Sequence, residues 1–466
     1  MSATGCARHS WRAACRPPLK KNADGLSGAV ATALWADIDR LLGEGPVEAL
    51  DFEAIETAGR RAALEVMGQA LAARLNADHS DVRAAQSCDR CGAPARYAGR
   101  RTKTVVTALG PLALARAWYQ CDRCHTGFCP RDRALGLSGT SLSPAVLRMV
   151  GVTAARVSFA ESSALLRELA GLAVEPKQVE RQAEALGRAI AADERSTVEP
   201  DGAPADTLYL GLDGTGVPVR RAETRGRRGK QPDGSAKTRE AKLAVVWASA
   251  GRDQDNNPLR DPESVSVNGA IETVACADTD TDLSPFAQRV LRETQRRGFD
   301  RAKQQVILGD GAPWIWNLAD ELFPDAIQIV DVFHAKGYLF EAARAIYGAG
   351  TDLAQQWGKQ RRDELDRGRL DAVLAALAEH TSCPEAEACS SYITNNRERM
   401  NYPHFRALGL CITTGVVEGA CKHVVATRFK RGGMRWTVNG ANAVMALRCV
   451  ILNNGFDDFW ERRAGL

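Results

Sequence analysis

Residues 306–334 read VILGDGAPWIWNLADELFPDAIQIVDVFH, and this stretch decides the fold. An apolar run ends at Asp310, a helical pattern covers Trp314 to Leu322, a second apolar run covers Ile327 to Val330, and a second helical pattern covers Val332 to Ile346. Short apolar runs that alternate with helices are typical of a parallel sheet, because each helix carries the chain back to the same edge. The stretch therefore predicts an α/β domain.

Upstream, the chain supplies further elements of the same domain. Three stretches have strand character and a fourth is helical: Leu208 to Leu212, Ala241 to Trp247, Glu272 to Ala277, and Ser284 to Arg297. Three strands, a helix, and then alternating strands and helices is the element order of the ribonuclease H fold, in which the first and fourth strands are neighbours. We therefore expect Asp213, at the end of the first strand, to lie beside Asp310, at the end of the fourth.

These two aspartates and one glutamate are the candidate catalytic residues. Neighbouring carboxylates repel each other unless a divalent cation lies between them, and magnesium binds carboxylate oxygens while it keeps several waters. A third acid is expected on a later helix, and Glu418 is the one acid between Thr413 and Leu452. Singly, each acid also fits a turn or a first helical turn. Together, Asp213, Asp310 and Glu418 predict a catalytic metal site.

Two basic segments accompany the acids. Residues 220–242 hold nine Lys and Arg against three acids in a Gly-rich loop, and a second cluster follows Glu418 and is closed by Trp436. Either segment alone fits a solvated surface, but two of them beside a metal site favour a groove for a polyanion, where phosphate contacts set the affinity. The residues of these segments that are predicted to contact DNA are Arg225, Arg227, Arg228, Lys230, Lys422, Arg428, Lys430, Arg431 and Arg435.

A cysteine motif precedes this domain. Two Cys-x-x-Cys pairs, separated by 29 residues, contain Cys88, Cys91, Cys121 and Cys124. Two such turns present four thiolates to one ion, which is typical of a structural zinc site with no open coordination position. Residues 104–114 predict the hairpin of a zinc ribbon, with its turn at Gly110 and Pro111. Two redox pairs or incidental thiols remain alternatives, and His125 or Cys129 can replace one ligand.

Two helices are predicted downstream of the cysteines. Phe159 to Leu169 carries one apolar stripe, Gly171 breaks the pattern, and a second helix begins at Pro176. This pattern is the outline of a helix-turn-helix. An equally good interpretation is that these are two packed helices of an ordinary α-helical domain. The side chains available to a major groove are Lys177, Gln178, Arg181 and Gln182.

Composition limits the class of protein. A length of 466 residues predicts two to four domains, and 45% apolar with 25% charged residues are ordinary globular values. The net charge of +4 does not by itself argue for a nucleic-acid partner. Because neither a run of eighteen apolar residues nor an apolar signal region occurs, we expect no membrane span and a cytoplasmic location. Thirteen cysteines, an odd number, favour metal ligation over disulfides.

With these residues identified, the chain resembles bacterial insertion-sequence transposases of the DDE type, most closely the Kra group, which is distantly akin to Mutator-like transposases. The resemblance runs from about Cys88 to the C-terminus. The stretches that carry it are LGPLALARAWYQCDRCHTGFCPRDRALGL (109–137), LGLDGTGVPV (210–219), KTREAKLAVVW (237–247), residues 306–334 as quoted above, and GVVEGACKHVVATRFKRGGMRWTVNGANAVMALRC (415–449).

The resemblance implies a ribonuclease H-like catalytic domain in which Asp213, Asp310 and Glu418 hold two magnesium or manganese ions. It also implies that Asp331 and His334, an Asp-x-x-His signature, lie near the active site and the DNA. The implied reaction is two-metal phosphoryl transfer: water cuts a phosphodiester at the transposon end, and the freed 3′-hydroxyl then attacks target DNA. The implied partners are the terminal inverted repeats, target DNA and at least one further copy of the chain, at the nucleoid.

The predicted class is therefore α/β, with a zinc ribbon and a helix-turn-helix-like DNA-binding region before a ribonuclease H-like domain that contains a helical insertion. Trp357, in the insertion, is a candidate for stacking on an unpaired base, although core packing is the more frequent role. The alternatives are a nuclease that cuts without joining and a DNA-binding regulator. The predicted regions are a disordered basic arm (1–26), N-terminal helices (27–80), the zinc ribbon (81–141), the helix-turn-helix-like region (142–199), the catalytic core (205–335 and 411–466) and the insertion (336–410).

Overall fold

A computed structural model describes residues 51–196, 205–254, 258–275 and 282–464, together with Thr32 and Ala36. The predicted basic arm, most of a first helix at Gly28 to Leu42 and the linker at Pro200 to Pro204 lie outside the described residues. The chain divides into two compact units, Met1–Val146 and Leu147–Leu466. Both units contain helices and a sheet, so the protein is a mixed α/β protein.

The described part of the first unit consists of a long helix and a small antiparallel sheet. Asp51 caps the N-terminus of helix α1 (Phe52–Ala77), since its carboxylate accepts hydrogen bonds from the amides of Glu53 and Ala54. The four strands are hydrogen-bonded in chain order. They are β1 (Ala85–Ser87), β2 (Pro94–Thr107), β3 (Gly110–Cys121) and β4 (Gly127–Phe128), and a short helix α2 (Pro130–Ala134) follows.

The hairpin between β2 and β3 is present, but its turn differs from the prediction. Gly110 and Pro111 are the first residues of β3, and Gly110 pairs with Thr107. The turn therefore consists of two residues, Ala108 and Leu109. The Thr107 hydroxyl closes it by donating to the Gly110 carbonyl and by accepting from the Leu109 amide. A side-chain hydrogen bond thus sets the turn two residues earlier than the Gly-Pro pair indicates.

Three helices precede the second sheet: α3 (Pro144–Arg156), α4 (Phe159–Ala170) and α5 (Pro176–Ser196). The predicted pair of helices with a glycine between them is confirmed, since α4 ends at Gly171 in the left-handed conformation with φ 68°. A Cβ on Gly187 of α5 would lie 1.9 Å from the Ala443 carbonyl oxygen, so these two backbones are in direct contact. The buried residues of α5 run from Val179 to Ile190, so this part of the helix is packed along one side.

The second unit is built on a six-stranded sheet. Five strands lie in the order β10-β9-β5-β6-β7, and the sixth strand, β8, also pairs with β6. Strands β9 and β10 run parallel to β5, whereas β6 is antiparallel to it. The predicted neighbourhood of the first and fourth strands is thus confirmed. The strands are β5 (Thr207–Pro218), β6 (Thr238–Arg252), β7 (Pro258–Arg260), β8 (Ser266–Ala270), β9 (Gln304–Gly309) and β10 (Ile327–Val330).

The third strand lies earlier in the chain than predicted. Strand β8 (Ser266–Ala270) pairs with β6, whereas Glu272, at the start of the predicted strand, lies beyond it and forms an ion pair with Arg289. The sequence pattern does not indicate β8, because serine and asparagine are usually exposed, yet all five residues of β8 are buried. Asn268 is satisfied there because its side-chain oxygen accepts from Arg289.

Helices cover this sheet, and further helices occupy residues 352–407. The first group contains α6 (Pro285–Arg296), α7 (Pro313–Leu322) and α8 (Val332–Tyr347). The second contains α9 (Asp352–Asp366), α10 (Leu370–Ala378), α11 (Pro384–Asn395) and α12 (Tyr402–Ala407). The C-terminal elements are α13 (Gly415–Ala420), a π-helical segment (Cys421–Ala426), α14 (Thr427–Phe429), α15 (Val438–Leu452) and α16 (Phe456–Ala464).

One apolar core joins the sheet to helices on both sides of it. Trp357 packs against this core from α9 and lies beside Tyr347 and Arg361, which is the packing role considered above. Trp316 of α7 is 5% exposed and belongs to the same core. Within the described ranges, every helix is too short or too polar to cross a membrane.

Candidate functional site

Three aspartates lie at the same edge of the second sheet. Strand β5 pairs with β9 up to Gly211 opposite Leu308, and continuing this register by two residues brings Asp213 opposite Asp310. Strand β10 ends at Val330 opposite Gly309, so Asp331 follows at the same level. Adjacent strands are about 4.8 Å apart. The predicted meeting of the first two aspartates at one sheet edge therefore agrees with the register, and Asp331 adds a third carboxylate there.

Asp213 does not end its strand, contrary to the prediction. Strand β5 continues to Pro218 because it stays paired with β6, while its pairing with β9 stops at Gly211. Asp213 thus lies where β5 projects past its parallel neighbour. Burial raises the pKa of Asp213, and the nearby Asp310 raises it further, whereas hydrogen bonds from Cys421 and Gly214 lower it. A half-buried carboxylate beside another carboxylate favours a cation.

Asp310 is held through its backbone by a residue of α11. The Tyr392 hydroxyl donates a hydrogen bond of 2.8 Å to the Asp310 carbonyl oxygen, and the ring is stacked on Tyr338 with 4.1 Å between centroids. Gly311 adopts a φ of 97°, and a Cβ there would lie 2.4 Å from the Tyr392 ring. The Asp310 carboxylate itself accepts from the Ala312 amide at 2.9 Å. Only glycine fits beside this tyrosine.

Asp331 links two helices of the site. It is 1% exposed, and its Oδ1 accepts hydrogen bonds from the amides of Phe333 and His334, so it caps α8. Its Oδ2 accepts from both the amide and the hydroxyl of Thr414, which precedes α13. Glu418 then lies one turn along, with its Oε1 3.3 Å from the Thr414 hydroxyl. Asp331 therefore fixes the start of the helix that carries Glu418.

His334 and Glu418 face each other across the open side of this edge. The distance from His334 Nε2 to Glu418 Oε1 is 3.7 Å, and the two side chains are 44% and 43% exposed. A Cβ on Gly211 would lie 3.1 Å from the Val417 Cβ, so the Glu418 helix packs directly on strand β5. The structure thus brings Glu418 to the strand that carries Asp213.

The segment after Glu418 is π-helical over Cys421–Ala426. π-Helical segments are rare overall, but those that occur are often found at functional sites. The wider turn changes the direction in which the side chains point. Here the Cys421 thiol donates to Asp213 Oδ2 at 3.1 Å. Burial raises the pKa of Cys421, so it remains a neutral donor. The sequence pattern assigned Cys421 only to an apolar helix face, and this contact was not foreseen.

The donor set of this edge fits a hard divalent cation. Asp213, Asp310 and Glu418 offer carboxylate oxygens with His334 beside them, which is the chemistry that magnesium and manganese accept. Their ligand atoms are less tightly grouped than those of a preformed site, since in the described ranges the four cysteines are the one group of three or more such side chains close enough together to hold a metal ion. Side-chain rotation is therefore needed before the three acids share an ion.

The two basic segments are adjacent in the second unit. The backbone of Trp436 pairs with that of β5, since its amide donates to Pro218 and its carbonyl accepts from Arg220. The Lys430 ammonium donates to the Thr215 hydroxyl at 2.7 Å, two residues from Asp213 along β5. The predicted phosphate-binding residues that are exposed are Arg225, Arg227, Arg228, Lys230, Lys422, Lys430, Arg431 and Arg435.

Arg428 does not belong to this exposed set, and its prediction as a DNA contact is wrong in this structure. It is fully buried, and its Nε donates to the Ala154 carbonyl oxygen at 2.9 Å. Its guanidinium lies over the rings of Phe159 and Trp436. The side chain is thus part of the packing between α4 and the C-terminal segment, and a basic run alone cannot show which of its members is enclosed.

Helix α5 presents only part of the predicted major-groove surface. Lys177 and Arg181 are exposed, and Lys177 pairs with Glu180 at 2.8 Å. Gln182, in contrast, is 6% exposed and lies on the packed side, so it is not available to a groove. The prediction for Gln182 is therefore wrong.

The four predicted cysteines of the first unit meet in space. Cys88 and Cys124 have their sulfurs 3.5 Å apart, and so do Cys91 and Cys121. Zn–S bonds of about 2.3 Å in a tetrahedron separate sulfurs by roughly 3.8 Å. These two pairs are slightly closer than that and all four sulfurs lie within 4.8 Å of one another, so small shifts of the side chains around an ion suffice. Hydrogen bonds from Thr126 lower the pKa of Cys124, whereas the neighbouring thiols raise the pKa of Cys91. This cluster could bind zinc.

The two alternative ligands do not join this cluster. Neither His125 nor Cys129 is within the tight group of sulfurs, and Cys129 is buried beside Arg116 and Asp132. The sequence left the choice open because both residues lie within a few positions of Cys124. The positions of the ligand atoms decide it, since the group close enough together to hold an ion consists of Cys88, Cys91, Cys121 and Cys124.

Comparison with known proteins gives one weak relationship by sequence. Over 348 residues the chain is 24% identical to "UPF0236 protein in vanSb 3'region" of Streptococcus gallolyticus, which covers 72% of this chain and 69% of that protein. No protein-family profile matches the chain. A solved structure, "Drosophila P element transposase strand transfer complex", matches with 11% identity over 71% of this chain and 83% of that chain. Its TM-score of 0.25 is too low to say anything of the fold.

Proposed function

We propose that this protein is a DDE transposase with a ribonuclease H-like catalytic domain, related to the Kra group of insertion-sequence transposases. The observation that carries the proposal is the register of β5 and β9, which brings Asp213 level with Asp310, while α13 packs Glu418 against the same strand. On one side of β5 the strands alternate in direction, since β6 is antiparallel to β5 and β8 is antiparallel to β6, whereas β9 and β10 on the other side run parallel to β5. This arrangement supports the proposed fold.

In the proposed reaction, Asp213, Asp310 and Glu418 are the catalytic residues. Two magnesium or manganese ions held by them would supply an activated water and would stabilise the leaving 3′ oxygen. Asp331 keeps the Glu418 helix in place through its two hydrogen bonds to Thr414. No nucleophile of the protein is required, because water and then the freed 3′-hydroxyl attack phosphorus.

The basic segments are proposed to hold DNA at the acids. Lys430 lies beside Thr215 on the strand that carries Asp213, so a phosphate bound there is close to the catalytic edge. Lys177 and Arg181 on α5 are additional proposed DNA contacts. The proposed substrates are terminal inverted repeats and target DNA, and the proposed active species is a homodimer or larger assembly acting on the chromosome in the cytoplasm.

Cleavage of matched DNA ends tests the proposal. The protein is incubated with magnesium and DNA that carries the flanking repeats of its own genomic locus, and the breaks are mapped. We expect breaks at the repeat ends, and we expect Asp213→Asn to bind these ends but not to cut them. Continued cutting by the Asp213→Asn variant would remove this residue from the catalytic set.

A second assay separates joining from cutting alone. DNA ends that have been cut beforehand are supplied with a target plasmid, so that only strand transfer produces a joined product. Joined products support a transposase, whereas repeated cutting without any joined product supports a nuclease of the same fold.

A further inference from the structure

The face of α8 beside the acids carries an exposed aromatic ring. Phe333 is 66% exposed, and with Phe52 of the first unit it is one of two phenylalanines with such exposure in the described part of the chain. A single exposed apolar side chain needs no explanation by itself. Phe333 differs because it lies in the first helical turn, between Asp331 and His334, at the edge where the carboxylates meet.

This ring is presented by a fixed backbone. The Phe333 amide donates to Asp331 Oδ1 at 2.6 Å, and Asp331 in turn is buried and bonded to Thr414. The Lys336 ammonium lies 5.7 Å from the ring centroid and forms an ion pair of 2.9 Å with Asp366, so a cation that already has a partner accompanies the apolar face. An aromatic ring next to a cation is suited to a nucleobase that is attached to a phosphate.

Gly337 lies one turn after Phe333 on the same exposed face. It is interior to α8, where glycine destabilises a helix relative to alanine. A Cβ at this position would meet nothing within 4 Å, so packing does not require the glycine. Helical side chains lean toward the N-terminus, and a side chain at residue 337 would therefore cover the surface beside the Phe333 ring. Glycine keeps this surface open.

We infer that a base of the DNA strand next to the cleaved bond stacks on Phe333, while the sugar-phosphate backbone of that strand passes over Gly337. The inference rests on the proposed function, since it concerns the DNA that the acids cut. His334 follows Phe333 in the first turn of α8 and lies 3.7 Å from Glu418, so a strand in this position is close to the catalytic edge. Because every base has an aromatic face, stacking of this kind favours an unpaired base of any identity.

The first test combines protein and DNA changes. End DNA is prepared with a single abasic nucleotide at each position within six nucleotides of the mapped break, and cleavage rates are measured for the wild type, Phe333→Ala and Phe333→Trp. We expect Phe333→Ala to slow cleavage about 10-fold and Phe333→Trp to restore it. At one position the abasic nucleotide should slow the wild type and leave Phe333→Ala unchanged.

Leu353→Ala is the matched control, because Leu353 is 61% exposed in the first turn of the neighbouring helix α9. It should cut at the wild-type rate. Equal rates for Phe333→Ala and the wild type, or abasic effects that are the same in both proteins at every position, would overturn the inference. Failure of the wild type to cut any end DNA would instead count against the proposed function.

The second test uses the glycine and separates binding from folding. Gly337→Ala should raise the melting temperature, since alanine favours the helix and meets no neighbour, and yet it should weaken binding of end DNA. Gly337→Leu should weaken binding further. Gly59→Ala in α1, where a Cβ also meets nothing within 4 Å, should raise stability without changing DNA binding. Unchanged DNA binding by Gly337→Leu would contradict the proposed path of the strand.

Discussion

At the scale of single residues, the carboxylates of the sheet edge are held to different degrees. Asp331 is almost fully buried, and both of its oxygens accept hydrogen bonds from the starts of two helices. Asp213 is bonded to the Cys421 thiol and the Gly214 amide. Glu418 is 43% exposed. Asp331 therefore acts as a structural anchor, Asp213 is held by two hydrogen bonds, and Glu418 has the most room to change rotamer.

Tyr392 offers a test of how the Asp310 turn is positioned. Tyr392→Phe removes only the hydroxyl that donates to the Asp310 carbonyl. Losing one hydrogen bond of about 1 kcal/mol should raise the magnesium concentration for half-maximal cleavage about 5-fold and leave the melting temperature nearly unchanged. Tyr338→Phe, which retains the stacked ring, is the control and should require no more magnesium than the wild type. A fall in melting temperature without a change in the magnesium requirement would argue for a purely structural tyrosine.

The sequence predicted these catalytic candidates because acids followed by glycine interrupt apolar runs, and because the element order makes two of the strands neighbours. It could not predict Tyr392 or Thr414, which contact the acids from 82 and 83 residues away in the chain. No periodic pattern marks such contacts. It also could not distinguish Arg428 from its exposed neighbours, since enclosure by Phe159 and Trp436 depends on packing between distant segments.

At the scale of elements, the second helix of the predicted helix-turn-helix, α5, is packed tightly against another helix. Helix α5 contacts α15 so closely that Gly187 has no space for a Cβ beside Ala443. One side of α5 is therefore committed to the core, and only residues such as Lys177 and Arg181 remain for DNA. The spacing of apolar residues and Gly171 predicted that this segment forms two helices, but they did not predict which side of α5 is buried.

Gly187→Ala tests this contact. A Cβ 1.9 Å from a carbonyl oxygen must push the two helices apart, which should lower the free energy of unfolding by about 2 kcal/mol despite the better helix propensity of alanine. Urea unfolding measures the change. Gly337→Ala, a helical glycine with open space, is the control of opposite sign. A Gly187→Ala protein as stable as the wild type would mean that the two helices are not in contact.

The end of α5 also carries a buried acid whose charge affects stability. The Glu194 side chain is 15% exposed, and it lies 3.9 Å from Arg289 on α6. Burial raises the pKa of Glu194 from 4.5 to about 7, which Arg289 and Arg296 oppose and Glu293 reinforces. The folded protein therefore keeps a proton that the unfolded chain has released, and the free energy of unfolding falls as the pH rises from 4.5 toward 7.

Glu194→Gln should remove this pH dependence. Relative to the wild type, the variant should have a flatter profile of melting temperature between pH 5 and pH 7. At pH 8 it should be more stable by roughly 1 to 3 kcal/mol, because it carries no buried charge. Thermal unfolding of both proteins across this range provides the measurement. Parallel profiles for the two proteins would show that Glu194 titrates as an ordinary surface acid.

At the scale of the whole molecule, each of the two units carries a different kind of candidate metal site. The four cysteines of the first unit form a tight group of sulfurs, and spacing alone predicted it, because two Cys-x-x-Cys turns on one hairpin have few other arrangements. The acids of the second unit come from strands and a helix far apart in the chain. The positions of these acids along the sheet follow from the strand register, which the periodicity of the sequence does not determine. For the same reason the sequence did not predict that β5 continues five residues past Asp213, to Pro218.

Zinc content tests the first of these sites. Purified protein should contain about one zinc ion per chain, and Cys88→Ser should lose it and expose the hairpin of the first unit to proteolysis. Cys129→Ser, a buried thiol outside the group, should retain the metal and resist proteolysis. Retention of zinc by Cys88→Ser together with its loss from Cys129→Ser would reassign the ligands.

Manganese binding tests whether Asp213, Asp310 and Glu418 share a metal site. In the presence of end DNA and calcium-free buffer, electron paramagnetic resonance counts the manganese ions bound to zinc-loaded protein. The wild type should bind two ions per chain, and Asp213→Asn, Asp310→Asn and Glu418→Gln should each lose at least one without unfolding. Undiminished manganese binding in all three variants would mean that these carboxylates do not share a metal site.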